Sequence, residues 1–172
     1  EFNPLAWLAK FYTDVIRGTP VLVQLLIMYY VVFGSYQNIP KLVVAALAFG
    51  INSGAYVAEL IRAGFESLPK GQWEAAQSLG LSYPQTIWYV TMPQALKVAL
   101  PSLISEFITL LKETSIVGWI GATDLMRGAD NIRFQTATAF EALIAAAIIY
   151  LILTTIFTKL MTRVEKRLQN DA

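Results

Sequence analysis

The chain has 172 residues, 56% hydrophobic and 15% charged, with a net charge of +1. Soluble domains carry about a quarter charged residues, so this composition points to a membrane protein, and a near-neutral chain without a basic tract excludes a nucleic-acid binder. Histidine and cysteine are both absent, which excludes disulfides, thiolate chemistry, the commonest zinc ligand and the usual general base.

Neither a G-x-S-x-G elbow nor a G-x-x-x-x-G-K-[ST] phosphate loop occurs. The chain is therefore expected to hold no catalytic residue, no metal and no cofactor of its own.

In chain order, Leu5, Leu8, Tyr12, Val15 and Ile16 fall at helical spacing. That pattern predicts an amphipathic helix over 1–18, lying on the inner membrane surface. Four segments then approach the roughly 20 apolar residues that cross a bilayer. They are Thr19–Tyr36, Lys41–Ala58 running on toward Leu68, Ala95–Leu111 and Thr136–Leu160. Lys159, Arg163, Lys166 and Arg167 crowd the C-terminal tail, so the positive-inside bias puts that end in the cytoplasm. Counting back, Thr114–Gln135 is external, Gly71–Leu96 is internal, and the first residues with Lys10 and Arg17 are internal. Arg127 and Arg133 in the external loop run against this bias. No secretory signal is visible, and a chain that opens without methionine on the cytoplasmic side is expected to have an upstream segment.

The internal loop has its own punctuation. Gln72–Leu79 has helical composition, and Gly80 sits where a left-handed residue would stop that helix. Ser82 offers an N-cap, Pro84 fits the first turn of a second helix, and Gln85 completes a capping-box pattern. The spacing predicts a rigid helix–turn–helix. Ala75, Ala76 and Ser78 would form a small face, with Trp73 and Leu79 as apolar anchors of the type that dominates interfaces. Local physics leaves two readings open: a docking surface, or a loop packed back on its own helices.

Two helix faces are polar at membrane depth. Asn52, Tyr56 and Glu59 follow i, i+4, i+7 spacing, and Glu106, Thr109 and Glu113 follow i, i+3, i+7. Ionisable groups at such depth are costly and generally face the bundle interior. These six residues are the candidate substrate-binding set, because carboxylates suit an ammonium or guanidinium group. In the competing reading, Glu59 pairs with Arg62 and Glu113 with Lys112. Thr114 and Ser115 open an irregular external stretch containing Gly118 and Gly121, and Asp124 with Arg127 reads as a local i, i+3 pair.

The stretch "EAAQSLGLSYPQTIWYVTMPQALKVALPSL" resembles the E-A-A…G loop of permease subunits of ATP-binding-cassette (ABC) importers. Glu74, Ala75, Ala76 and Gly80 carry that motif. "VIRGTPVLVQ", "INSGAYVAELIRAG" and "LLKETSIVGWIGATDL" look like the polar amino acid subfamily, and the resemblance runs over nearly the whole chain. It implies an all-α polytopic transmembrane bundle of the type I importer kind, a single domain over 1–172. Five membrane helices are expected where four are counted, which implies that the first is absent from this chain. Residues 71–94 would form the coupling-helix loop on a separate ATPase dimer, where ATP and Mg bind, with Trp73, Glu74, Ala75, Ala76, Ser78 and Gly80 as coupling residues. A side chain at Gly80 would clash with the turn and shift the helix axis.

The further partners implied are a second permease copy or a related permease, an extracytoplasmic binding protein, and the bilayer of a bacterial cell membrane. The cargo implied is a polar amino acid such as arginine, histidine, lysine or glutamine. The alternative is an oligomeric channel or scaffold whose hairpin binds a partner other than an ATPase.

Overall fold

The computed structural model describes residues 3–36 and 38–170, the last three by backbone alone. The first two residues of the surface helix expected over 1–18, and the last two of the single domain over 1–172, lie outside the described residues.

Helix α1 (Pro4–Arg17) starts where Asn3 Oδ1 accepts the N–H groups of Leu5 (3.1 Å) and Ala6 (3.2 Å), with Pro4 in the first turn. Such a cap satisfies two of the orphan donors at a helix start. No residue of α1 is buried, and Leu5, Trp7, Leu8 and Phe11 are all exposed. One anchor ties it to α3: Tyr12 Oη donates to the carbonyl of Ile51 at 2.5 Å.

Pro20 ends the first helical run. It holds Thr19 away from helical geometry, and the chain turns through 104° into α2 (Val21–Ile27) and a π-helical continuation, Met28–Val32. Val21–Val32 reaches no more than about 18 Å. The first of the four expected spans is thus a short helix, broken from α1 at Pro20, and counts as one crossing only if the bent pair is taken together.

The other three segments are long and apolar enough to span. Helix α3 (Lys41–Glu66) has 26 residues, about 39 Å. After a short turn come α4 (Lys70–Ser78) and α5 (Tyr83–Thr86). A π-helical turn, Ile87–Thr91, then leads without a break into α6 (Met92–Glu113). Pro93 explains that wide turn: it lacks an N–H and its ring crowds the carbonyl of Tyr89 four residues back. Thr91 Oγ1, fully buried, reaches the carbonyls of Thr86 and Ile87, each at 3.4 Å. Helix α8 (Ala139–Asn170) has 32 residues and shows apolar side chains nearly all round, exposed. Such a helix is covered by lipid or protein.

The stretch from Thr114 to Gly121, read as irregular, is an ordered 3₁₀ helix over Thr114–Ile120, closed by Gly121 at φ 71°. It runs into an unexpected external helix, α7 (Leu125–Thr136). Asp124 and Arg127 are a cap rather than an ion pair: Asp124 Oδ1 accepts the backbone N–H of Arg127 at 2.8 Å.

The core lies where α2, α3 and the 3₁₀ helix meet, around Leu25, Ala48, Phe49, Val117 and Ile120. Helices α3 and α6 pack more tightly than any side chain larger than hydrogen allows. A Cβ on Gly64 would stand 2.6 Å from the carbonyl oxygen of Ala95 and 3.2 Å from Ala99 Cβ. Small residues at such crossings let membrane helices approach closely.

Candidate transport path and coupling surface

Helix α4 ends as the sequence predicts. The N–H of Gly80 bonds the carbonyl of Gln77 at 2.9 Å, and that of Leu81 bonds Ala76 at 3.2 Å. With Gly80 at φ 82°, these two bonds form a Schellman stop. A Cβ on Gly80 would meet no heavy atom within 4 Å. The expected clash is therefore absent, and a substitution is resisted by the left-handed backbone alone. Beyond the turn, Gln85 Oε1 accepts the N–H of Ser82 at 2.8 Å, as the capping box requires.

The coupling residues divide into two groups. Ala76 is 3% exposed and faces its own chain, while Trp73 is half-buried and stacked on Tyr83, with centroids 5.6 Å apart. Neither presents its side chain as a free docking anchor, which corrects the single face drawn from sequence. Glu74, Ala75 and Ser78 are exposed, and Leu79 is 83% exposed. Gln94 Nε2, at the start of α6, donates to Gln72 Oε1 at 3.0 Å. The inner side of α4 is thereby tied to α5 by the Trp73–Tyr83 stack and to α6 by the Gln72–Gln94 amide pair, leaving the outer side open.

The candidate substrate residues divide too. On α3, Asn52 is 2% exposed and donates to Gln24 Oε1 at 3.0 Å. Gln24 Nε2 in turn reaches the carbonyl of Ile16 (2.7 Å) and Thr19 Oγ1 (2.7 Å), across the bend. Asn52 is thus bound into a buried amide network, which the lone glutamine in an apolar run could have signalled. Tyr56 lies under the Arg17 guanidinium, 5.6 Å from its carbon. Glu59 pairs with Arg62 and, at 3.5 Å, with Arg17. The polar face of α3 is therefore taken up by Gln24 and Arg17, on the side toward α1.

The α6 face is different. Glu106, Thr109 and Glu113 are half-buried on one face, and neither glutamate has a salt bridge among the described residues.

Three long apolar helices, a short bent span and a hairpin anchored on one side define a polytopic helical membrane protein. The family model for the binding-protein-dependent transport system inner membrane component matches residues 2–170, and the chain belongs to that family. It is 42% identical over 174 residues to the arginine transport system permease protein ArtQ of Bacillus subtilis (strain 168), covering 99% of this chain and 78% of that one. Its identity to the L-cystine transport system permease protein TcyB of the same organism is 38% over 169 residues, covering 98% and 72%. A crystal structure of an amino acid ABC transporter with histidines superposes with a TM-score of 0.87 at 47% identity, over 95% of this chain and 77% of that one. The fold is that of an ABC importer permease, and membership in this family sets aside the channel and scaffold readings.

Proposed function

We propose that this permease conducts a polar amino acid inward, driven by ATP bound with Mg on a partner ATPase dimer that receives the outer face of α4. The observation that carries the coupling role is the two-sided build of α4. Its inner side is fastened to α5 by the Trp73–Tyr83 stack and to α6, which follows α5 without a break, by the Gln72–Gln94 pair. Its outer side offers Glu74, Ala75, Ser78 and Leu79. A load on the outer face would therefore move α6 as a rigid body, a recurrent route from a small shift to a global switch. The relatives named for arginine and cystine support an amino acid cargo. The two α6 carboxylates, Glu106 and Glu113, have no salt bridge among the described residues and favour a cationic one, through charge-assisted bonds to an ammonium or guanidinium. Two copies would enclose the path, an extracytoplasmic binding protein would deliver cargo, and the C-terminus would lie in the cytoplasm.

Gly80 supplies the test. Gly80→Asn keeps a residue that tolerates a left-handed backbone, whereas Gly80→Val does not. In reconstituted vesicles, Gly80→Val is expected to insert normally and lose ATP-driven uptake, with Gly80→Asn retaining most of it. Normal uptake by Gly80→Val would sink the coupling assignment. Equal loss of folded protein and uptake in both variants would reduce Gly80 to a helix stop.

A further inference from the structure

A cleft of about 710 Å³ opens at the end of the bundle that holds the start of α3, the 3₁₀ helix and α7. The topology reads this as the external end. Tyr29, Tyr30, Trp119 and Phe134 line it, and the last three are 61%, 67% and 73% exposed. The cleft also contains Lys41, Arg127, Asp130 and Arg133. Among the described residues that line it, Asp130 is the one acid, and it already pairs with Arg133 at 2.9 Å. Lys41 and Arg127 have no carboxylate partner among the described residues.

Both cations flank one turn. Lys41 Nζ donates to the carbonyl of Gly121 at 3.2 Å. The stem of Arg127 lies against Gly118, where a Cβ would stand 3.5 Å from it. Gly118 and Gly121 are themselves joined, N–H to carbonyl, at 2.9 Å. One hydrogen bond to a carbonyl leaves the ammonium two further donors, and the guanidinium fork has none of its donors engaged by an acid. External Lys and Arg also run against the charge bias of membrane proteins, so their concentration in a concave, aromatic site calls for a ligand of opposite charge.

We infer that this cleft is an external subsite for the carboxylate of a free amino acid, held by Lys41 and Arg127 with its side chain against the aromatic wall. The inference rests on the reading of the chain as an amino acid permease. The cleft volume falls in the range of small-molecule sites, and Arg presents its donors in the planar fork that fits a carboxylate. Arg133 already lies over the Phe134 ring at 4.4 Å and Lys41 over that of Tyr29 at 6.0 Å. The exposed rings of Tyr30 and Trp119 are therefore the faces that suit a cationic side chain or an α-ammonium group.

The test is equilibrium binding of a labelled amino acid to the assembled transporter without any binding protein, alongside vesicle uptake of the same compound. Saturable binding is expected. Arg127→Gln and Lys41→Gln should each weaken it by at least about tenfold, the size of one lost charge-assisted bond. Lys41→Arg should restore much of it, and the carboxamide of the amino acid should fail to compete. Competition by the carboxamide as strong as by the acid would overturn the proposal, as would unchanged binding in both Gln variants. If the variants instead weaken only the apparent affinity for the binding protein, the cleft takes a protein carboxylate and the subsite is refuted. Intact uptake by the unaltered transporter with no such binding refutes the cleft alone. Absence of uptake for every amino acid tried removes the permease reading with it.

Discussion

Asn52 Nδ2 donates to Gln24 Oε1 at 3.0 Å, and through Gln24 the long span α3 holds the bend at Pro20. A buried amide whose partner is removed loses more than the bond itself, because the remaining group stays desolvated. Asn52→Ala should therefore destabilise the protein by about 1–3 kcal/mol, seen as a lower melting temperature in detergent. The KM for uptake by the surviving protein should stay near its original value. A raised KM at unchanged melting temperature would return Asn52 to the substrate path.

Gly64 and Gly50 make a matched pair on α3. The first has the carbonyl of Ala95 where a Cβ would go, and the second has open space. Gly64→Ala must push α3 from α6, at about 1–3 kcal/mol for an overpacked contact. Gly50→Ala gains up to about 1 kcal/mol of helix propensity. Thermal unfolding of both variants decides the point. Similar melting temperatures would mean that the crossing is looser than the structure shows.

Leu79 and Trp73 should separate docking from anchoring. Leu79 is exposed and touches little of its own chain, so Leu79→Ser should weaken retention of the ATPase on a column while leaving the melting temperature unchanged. Trp73→Ala removes the stack on Tyr83, a ring pair good for about 0.5–1.5 kcal/mol beyond its buried area. It should retain the ATPase, lower the melting temperature and reduce amino acid transported per ATP hydrolysed. The opposite assignment of effects would place Trp73 on the outer face after all.

The elements that repeat at helical period were legible from sequence because burial and lipid impose that period over many residues. Hence α3, α6 and α8 lie close to their expected places. The stop at Gly80 and the capping box at Ser82 were legible because each depends on neighbours only a few residues away. What escaped was tertiary. Nothing local says that Ala76 turns inward while Ala75 turns out, since that depends on where Tyr83 and α6 pass. Polar spacing on α3 marked a face that Gln24 and Arg17, far off in sequence, already occupy. Helix α7 was missed because a polar, short external helix has no long apolar stripe to announce it.

Glu106 and Glu59 give the sharpest comparison for the transport path. Glu59 has two guanidinium partners, Arg62 and Arg17, so neutralising it rearranges a local network toward α1. Glu106 is half-buried on α6 with no salt bridge among the described residues. A cationic cargo that passes it would gain a charge-assisted bond worth about 1.5–3 kcal/mol, or roughly tenfold to a hundredfold in affinity. Glu106→Gln should accordingly cut the preference for cationic over neutral amino acids by at least about tenfold, measured as competition between the two in vesicle uptake. Glu59→Gln should leave that ratio where it was, whatever it does to the total rate. A changed ratio in Glu59→Gln with none in Glu106→Gln would move the selectivity determinant from α6 to the network on α3.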